Sequence, residues 1–90
     1  MKKEGNKSRK LIFDQEGLQA LAKRLKEIRS EKGVSQEELA YRSEITLSQI
    51  ARIETVRINP TVSTIFKLVR ALEIPLDELF NFNLEPLTKE

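Results

Sequence analysis

The chain has 90 residues, of which 39% are hydrophobic and 33% charged, and its formal net charge is +2. A chain of this length forms one domain around one modest hydrophobic core. It contains no cysteine and no histidine, which excludes disulfides and thiolate or imidazole metal sites and removes the usual general base of enzymes. We therefore expect no enzyme, no metal site and no cofactor.

No apolar run approaches the ~20 residues of a membrane-spanning helix, and the N-terminus lacks the apolar core of a secretory signal. The sequence thus predicts a cytoplasmic protein without membrane contact. The first ten residues, "MKKEGNKSRK", carry a net charge of +4, which leaves −2 for the remainder. A nucleic-acid partner would therefore need a local patch. We expect residues 1–13 to form a basic, disordered tail, which either lies along DNA or has no function.

Capping residues and apolar spacing predict two helices in the first half of the chain. Asp14 can cap a long helix, which Gly33 ends in a left-handed conformation. Its inward residues recur at helical spacing and are Leu18, Leu21, Ala22, Leu25 and Ile28. Ser35 followed by Glu38 predicts a second, short helix that ends near Ser43.

The second half of the chain predicts three more helices. Thr46 followed by Gln49 favours a helix that begins at Leu47, and Thr61 caps a longer helix that Pro75 ends. The inward residues of the longer helix are Ile65, Leu68, Val69 and Leu72. The segment "LDELF" predicts a final turn or two, with Leu76, Leu79 and Phe80 apolar. Five helices without strands make an all-α fold.

Residues 36–55 meet the requirements of a helix-turn-helix unit. Two short helices that cross steeply need a small residue where they touch, which Ala40 supplies. Ile45 supplies an apolar plug in the turn, and Ile50 and Ile53 give the second helix its inward side. Such a unit holds its second helix out for insertion into a DNA major groove.

From Leu18 to Phe80 the chain resembles, without gaps, the phage-repressor (lambda-repressor-like, Xre-type) helix-turn-helix family. The resemblance rests on "LAKRLKEIRSEKGVSQEELA", "SQIARIE" and "RINPTVSTIFKLVRALEIPLDELF". It implies a five-helix domain, which we place at residues 14–82 with a short C-terminal tail at 83–90. It also implies a regulator of transcription that binds double-stranded DNA as a homodimer.

The resemblance also assigns the residues that would touch DNA. Leu47 and Ser48 match positions that read bases in the family, although packing is the alternative for Leu47. Arg52, on the same exposed side, can donate two hydrogen bonds to guanine. The predicted phosphate contacts on helix ends and loops are Gln36, Thr46, Thr55, Arg57 and Asn59. Gln49 is assigned to capping rather than to reading bases.

Two residues depart from the family pattern. Glu44 stands in the turn where the family usually has glycine or another small residue, and an acid there costs backbone strain if φ is positive. Val56 stands where glycine is common. Because a β-branched residue disfavours the left-handed conformation, the sequence favours a different path for this loop.

Two further groups have structural roles in this interpretation. Arg29 and Glu54 match family positions that form an ion pair between the first and third helices. The run "IPLDELFNFNLEPL" holds six large apolar residues within 12 positions, more than a small monomer buries easily. We interpret this run as closing the core and as a dimer interface, with the interface residues Leu76, Leu79, Phe80, Phe82 and Leu84.

The sequence therefore predicts a sequence-specific DNA-binding transcriptional regulator, a repressor that binds a palindromic operator as a homodimer. The alternative is a protein-interaction module, such as an antitoxin that neutralises a toxin, with DNA binding secondary.

Overall fold

The computed structural model describes residues 12–88. Its helices are α1 (Gln15–Lys32), α2 (Gln36–Ser43), α3 (Leu47–Glu54), α4 (Val62–Leu72) and α5 (Leu76–Leu79), and no strand occurs within this range. The predicted all-α, five-helix fold is confirmed. The tail predicted over residues 1–13 lies almost wholly outside the described residues, as do the last two positions of the tail predicted over 83–90.

Local cap chemistry starts four of these helices where the sequence predicts. The N-cap residues are Asp14, Ser35, Thr46 and Thr61. In each case the side-chain oxygen accepts a hydrogen bond from the backbone N–H three residues later, at 3.0 to 3.1 Å. One such cap stabilises a helix by about 1 kcal/mol. The short α5 begins after Pro75 without a side-chain cap.

The core is built from side chains of all five helices. Helix α2 packs against α3 and α4, α3 packs against α1, and α5 packs against α1 and α4. The largest fully buried side chains are Leu25, Ile28, Leu39, Ile50, Leu68, Leu72 and Leu79. Leu79 has no exposed surface, so its assignment to a dimer interface is wrong. It is the one buried residue of α5 and anchors that helix in the core of its own protomer.

Left-handed residues follow four helices: Gly33 (φ 67°), Glu44 (61°), Val56 (60°) and Glu73 (58°). The N–H of Val56 donates to the Ile53 carbonyl at 3.2 Å, and the N–H of Arg57 donates to the Arg52 carbonyl at 2.8 Å. The same pair of bonds closes α1 around Gly33. The two bonds contribute about 1 kcal/mol each, which offsets the ~1–2 kcal/mol cost of the left-handed conformation. The loop therefore keeps the left-handed conformation at residue 56, and the prediction that Val56 gives it a different path is wrong.

We predict that Val56→Gly stabilises the protein by about 1 kcal/mol, because glycine adopts this φ without strain. For a domain of this size that corresponds to a rise in melting temperature of about 4–8 °C. Gly33→Ala is the reciprocal control and should lower stability, since a Cβ there meets no atom within 4 Å and only the backbone cost is added. Circular dichroism melts of both variants test this. A loss of stability in Val56→Gly would mean that valine packing outweighs the strain.

Candidate nucleic-acid interface

The outer side of α3 is formed by side chains that have no place in the core. The buried residues of this helix are Ile50, Ile53 and Glu54. Leu47 is 42% exposed, and Ser48 and Arg52 are exposed as well. All three predicted base-reading side chains are thus accessible on α3. Contact between these side chains and DNA bases stays a prediction.

Gln49 joins this face, although the sequence assigned it to capping. The cap bond uses the backbone N–H of Gln49, which donates to the Thr46 hydroxyl oxygen at 3.1 Å. The Gln49 side chain is exposed and forms no hydrogen bond with residues 12–88. Its signal in the sequence was its place three residues before Arg52 on a helix. We call Leu47, Ser48, Gln49 and Arg52 the reading surface.

The predicted phosphate contacts after α3 differ in how many donors they keep. Arg57 is exposed and carries five N–H donors. Asn59 uses one amide N–H on the Ile12 carbonyl, at 3.2 Å, and retains the second. Thr55 donates its hydroxyl to the Ala51 carbonyl at 2.8 Å. Because a phosphate oxygen only accepts, Thr55 can bind one by its hydroxyl only if that bond breaks.

Glu54 is the polar centre of the inner side of α3. Its side chain is 3% exposed. Oε2 accepts from Nε of Arg29 at 2.7 Å, and Oε1 accepts from Nη2 of Arg29 at 2.9 Å. Arg29 also donates from Nη1 to the Val34 carbonyl at 2.9 Å. The hydrogen bonds to Glu54 raise the pKa of Arg29, while burial acts in the opposite direction. The pair that the sequence predicted thus joins α1 to α3.

Gln36, a predicted phosphate contact, also belongs to this network. Its Nε2 donates to Oε1 of Glu54 at 2.9 Å, so that α2 is tied to the same carboxylate as α1. The two residues lie 18 positions apart on different helices, and no helical spacing in the sequence signals such a contact. We call Arg29, Gln36 and Glu54 the Glu54 network.

Glu44 keeps the left-handed conformation that glycine would adopt between α2 and α3. Its N–H donates to the Ala40 carbonyl at 3.0 Å. Its carboxylate accepts from Nζ of Lys67, on α4, at 3.2 Å. With side chains 79% and 50% exposed, this pair stabilises the fold by less than about 1 kcal/mol. The departure at Glu44 therefore changes the charge of the turn and leaves its handedness unaltered.

The remaining predicted interface residues divide between core and surface. Leu76, Phe80 and Leu84 are 44%, 43% and 46% exposed, and we call them the C-terminal apolar surface. Phe82 is half-buried and packs against the core, with its ring centroid 6.1 Å from that of Phe80. Nε of Arg24, on α1, donates to the Glu78 carbonyl at 2.8 Å and holds α5 in place.

Within residues 12–88, no group of three or more acidic side chains is arranged to hold a metal ion. In the same part of the chain, no helix is both long enough and apolar enough to cross a membrane.

A helix-turn-helix family model (HTH_3) matches residues 25–79, which include α2, α3 and α4. The chain belongs to this family. The lambda-repressor-like resemblance stated from the sequence is thereby confirmed.

The chain is similar to a transcriptional regulator and to a controller protein of known structure. The chain is 42% identical over 66 residues to the HTH-type transcriptional regulator PuuR of Escherichia coli, and this match covers 73% of the chain but 35% of PuuR. It is also similar to the solved structure of the restriction-modification controller protein C.AhdI from Aeromonas hydrophila. That similarity has 40% identity, a TM-score of 0.68, and coverage of 70% of this chain and 96% of C.AhdI.

A second controller protein, C.Esp1396I, was solved as a tetramer in complex with its natural 35-base-pair operator. The chain is 33% identical to it, with a TM-score of 0.67 and coverage of 71% of this chain and 84% of that one. These three relatives are thus a transcriptional regulator and two controller proteins.

We predict that Arg29→Ala destabilises the protein by about 3 kcal/mol, because it leaves the Glu54 carboxylate buried without its cation. This value is the lower end of the usual range for breaking a buried ion pair. The Arg29 side chain is 18% exposed, so water can replace part of the hydrogen bonding that it gives to Glu54. The melting temperature should fall by more than roughly 10 °C. Arg42→Ala is the matched control, because its pair with Glu38 is 41% and 48% exposed and contributes less than about 1 kcal/mol. Equal melting temperatures for the two variants would contradict a structural role for the Arg29–Glu54 pair.

Proposed function

We propose that this protein is a sequence-specific DNA-binding transcriptional regulator, a repressor that binds a palindromic operator as a homodimer. The observation that carries the proposal is the two-sided construction of α3. Its inner side is fixed through Glu54, while Leu47, Ser48 and Arg52 remain accessible. A helix held in this way can enter a major groove without giving up any core contact.

The reading surface offers distinct chemistry to base edges. Arg52 can donate two hydrogen bonds to guanine O6 and N7, Gln49 can pair with the N6 and N7 edge of adenine, and Leu47 can contact a thymine methyl group. Ser48 can donate to or accept from several bases. Together they would discriminate among base pairs rather than only bind duplex DNA.

The residues around the reading surface would hold the DNA backbone. Arg57 supplies charge, and Thr46 supplies a hydroxyl at the start of α3, where the helix dipole favours anions. Asn59 retains one amide N–H, and Thr55 contributes if its internal bond is exchanged. Such contacts position a protein on DNA without reading its sequence. The operator complex of C.Esp1396I supports DNA as the partner of this chain.

A homodimer would form through the C-terminal apolar surface of Leu76, Phe80 and Leu84. Two-fold pairing there would present two α3 helices to successive major-groove segments, about 34 Å apart. Exposed apolar side chains on a small domain favour such a contact, because self-association removes them from water. A palindromic operator then follows from the two-fold symmetry of the protein.

We predict that Arg52→Ala removes the preference at one operator position per half-site, a loss of about 1–3 kcal/mol against the wrong base. Arg57→Ala should instead weaken binding to all sequences alike and lower the slope of log affinity against log salt by about one. Binding to a panel of single-base variants of a selected operator, at several salt concentrations, separates the two. If Arg52→Ala weakens every sequence equally, Arg52 is a phosphate contact and the reading surface is wrongly assigned.

We also predict that the double variant Leu76→Glu with Leu84→Glu is a folded monomer, because it places like charges across the two-fold contact. Tyr41→Glu is the control, since Tyr41 is 83% exposed but lies on α2, away from α5 in the chain. Light scattering gives the mass of each variant, and circular dichroism confirms folding. A double variant that stays dimeric would place the interface elsewhere, and a monomeric parent protein would contradict dimerisation.

A further inference from the structure

Only one of the two N–H donors of the Gln36 amide forms a hydrogen bond within residues 12–88. Its Nε2 atom donates one hydrogen bond, to Oε1 of Glu54 at 2.9 Å. A glutamine amide carries two N–H donors on this nitrogen. One donor is therefore committed to a buried carboxylate, and the second has no acceptor among residues 12–88.

Glu54 does not need Gln36 to balance its charge. Arg29 already binds both carboxylate oxygens, at 2.7 and 2.9 Å, and is itself fixed by its bond to the Val34 carbonyl. The carboxylate is thus held rigidly from the side of α1. Its bond to Gln36 fixes which way the amide turns, because only the nitrogen end of the amide can donate to a carboxylate.

The position of this amide suits an anion at the start of α2. Gln36 is the first residue of the helix after its Ser35 cap, is half-buried, and lies at the positive end of the helix dipole. An amide already fixed by one bond loses less freedom when it makes a second. The second N–H is a donor with a preset direction, and the acceptor that duplex DNA offers to such a donor is a phosphate oxygen.

We propose that Glu54 is a positioning residue for the DNA backbone, which holds the Gln36 amide so that its second N–H donates to a phosphate. One buried carboxylate then fixes α3 for base reading and prepares a backbone contact from α2. The proposal rests on the proposed DNA-binding function and adds a second role to a residue whose first role is structural.

The first test compares Gln36→Met with Gln19→Met. Methionine keeps the length and helix propensity of glutamine without its amide, and Gln19 is an exposed residue of α1. Fluorescence anisotropy with a mixed-sequence duplex should show about a tenfold loss of affinity for Gln36→Met. Its salt slope should match that of the parent protein, because a neutral amide displaces no counterion. Gln19→Met should bind like the parent.

The second test asks whether Glu54 acts through Gln36. Glu54→Gln should weaken binding to the duplex more in the parent protein than in the Gln36→Met background, where only the loss from its structural role remains. A merely structural role predicts the same loss in both backgrounds, and that result would overturn the proposal. Binding is measured at a temperature where circular dichroism shows each variant to be folded.

Because Glu54→Gln removes the charge that pairs with Arg29, a third measurement uses the unaltered side chains. In nitrogen-15 NMR spectra, the two Nε2 protons of Gln36 give separate signals, because rotation about the amide C–N bond is slow. The duplex should then shift one proton strongly and leave the proton bonded to Glu54 nearly in place. If the signals of both protons shift strongly, the amide has left Glu54, and that result would contradict the proposal.

These results separate the proposal from the function on which it rests. A parent protein that binds no duplex even at low salt contradicts DNA binding altogether. If the parent protein binds the duplex and Gln36→Met binds it with the same affinity, only the role given to Gln36 and Glu54 is contradicted.

Discussion

The paired hydrogen bonds between Arg29 and Glu54 are the interaction on which the orientation of α3 depends. This helix has eight residues, and only two of its buried side chains, Ile50 and Ile53, are apolar, which is little surface to fix a helix by packing alone. A carboxylate that is 3% exposed has lost its hydration and is stable only while donors replace that water. Rotation of α3 about its axis would strand this charge, so the same bonds that satisfy Glu54 also fix which side chains face outward.

The backbone at the two ends of α3 adds to this constraint. Glu44 before the helix and Val56 after it both hold left-handed conformations that cost non-glycine residues energy. Such conformations persist only where the surroundings determine them. The N–H of Glu44 donates to the Ala40 carbonyl and the N–H of Val56 to the Ile53 carbonyl. The N–H of Arg57 donates in turn to the Arg52 carbonyl. As the proposed recognition helix, α3 is fixed at both ends and along its inner side before DNA arrives, which would lower the entropic cost of binding.

The sequence predicted what is set by neighbouring residues, and across helices it predicted the Arg29–Glu54 pair only through the family resemblance. The four N-caps and the end of α1 at Gly33 depend on residues a few positions apart, so pattern alone located them. The contact between Gln36 and Glu54 depends on how α2 crosses α3, which no spacing encodes. The prediction at Val56 is wrong because two backbone hydrogen bonds oppose the intrinsic preference of valine. The prediction for Leu79 is wrong because α5, with four residues, is too short for apolar spacing to separate the buried residue from its exposed neighbours.

Selection of bound sequences from a random DNA pool, with the full chain as bait, tests the central claim most directly. If α3 reads bases from a two-fold dimer, the recovered sequences should share an inverted repeat whose half-sites are centred about one helical turn apart. Recovery of duplexes without any shared motif, at an affinity that depends only on salt, would contradict the account. It would mean that the outer face of α3 binds the DNA backbone and reads no sequence.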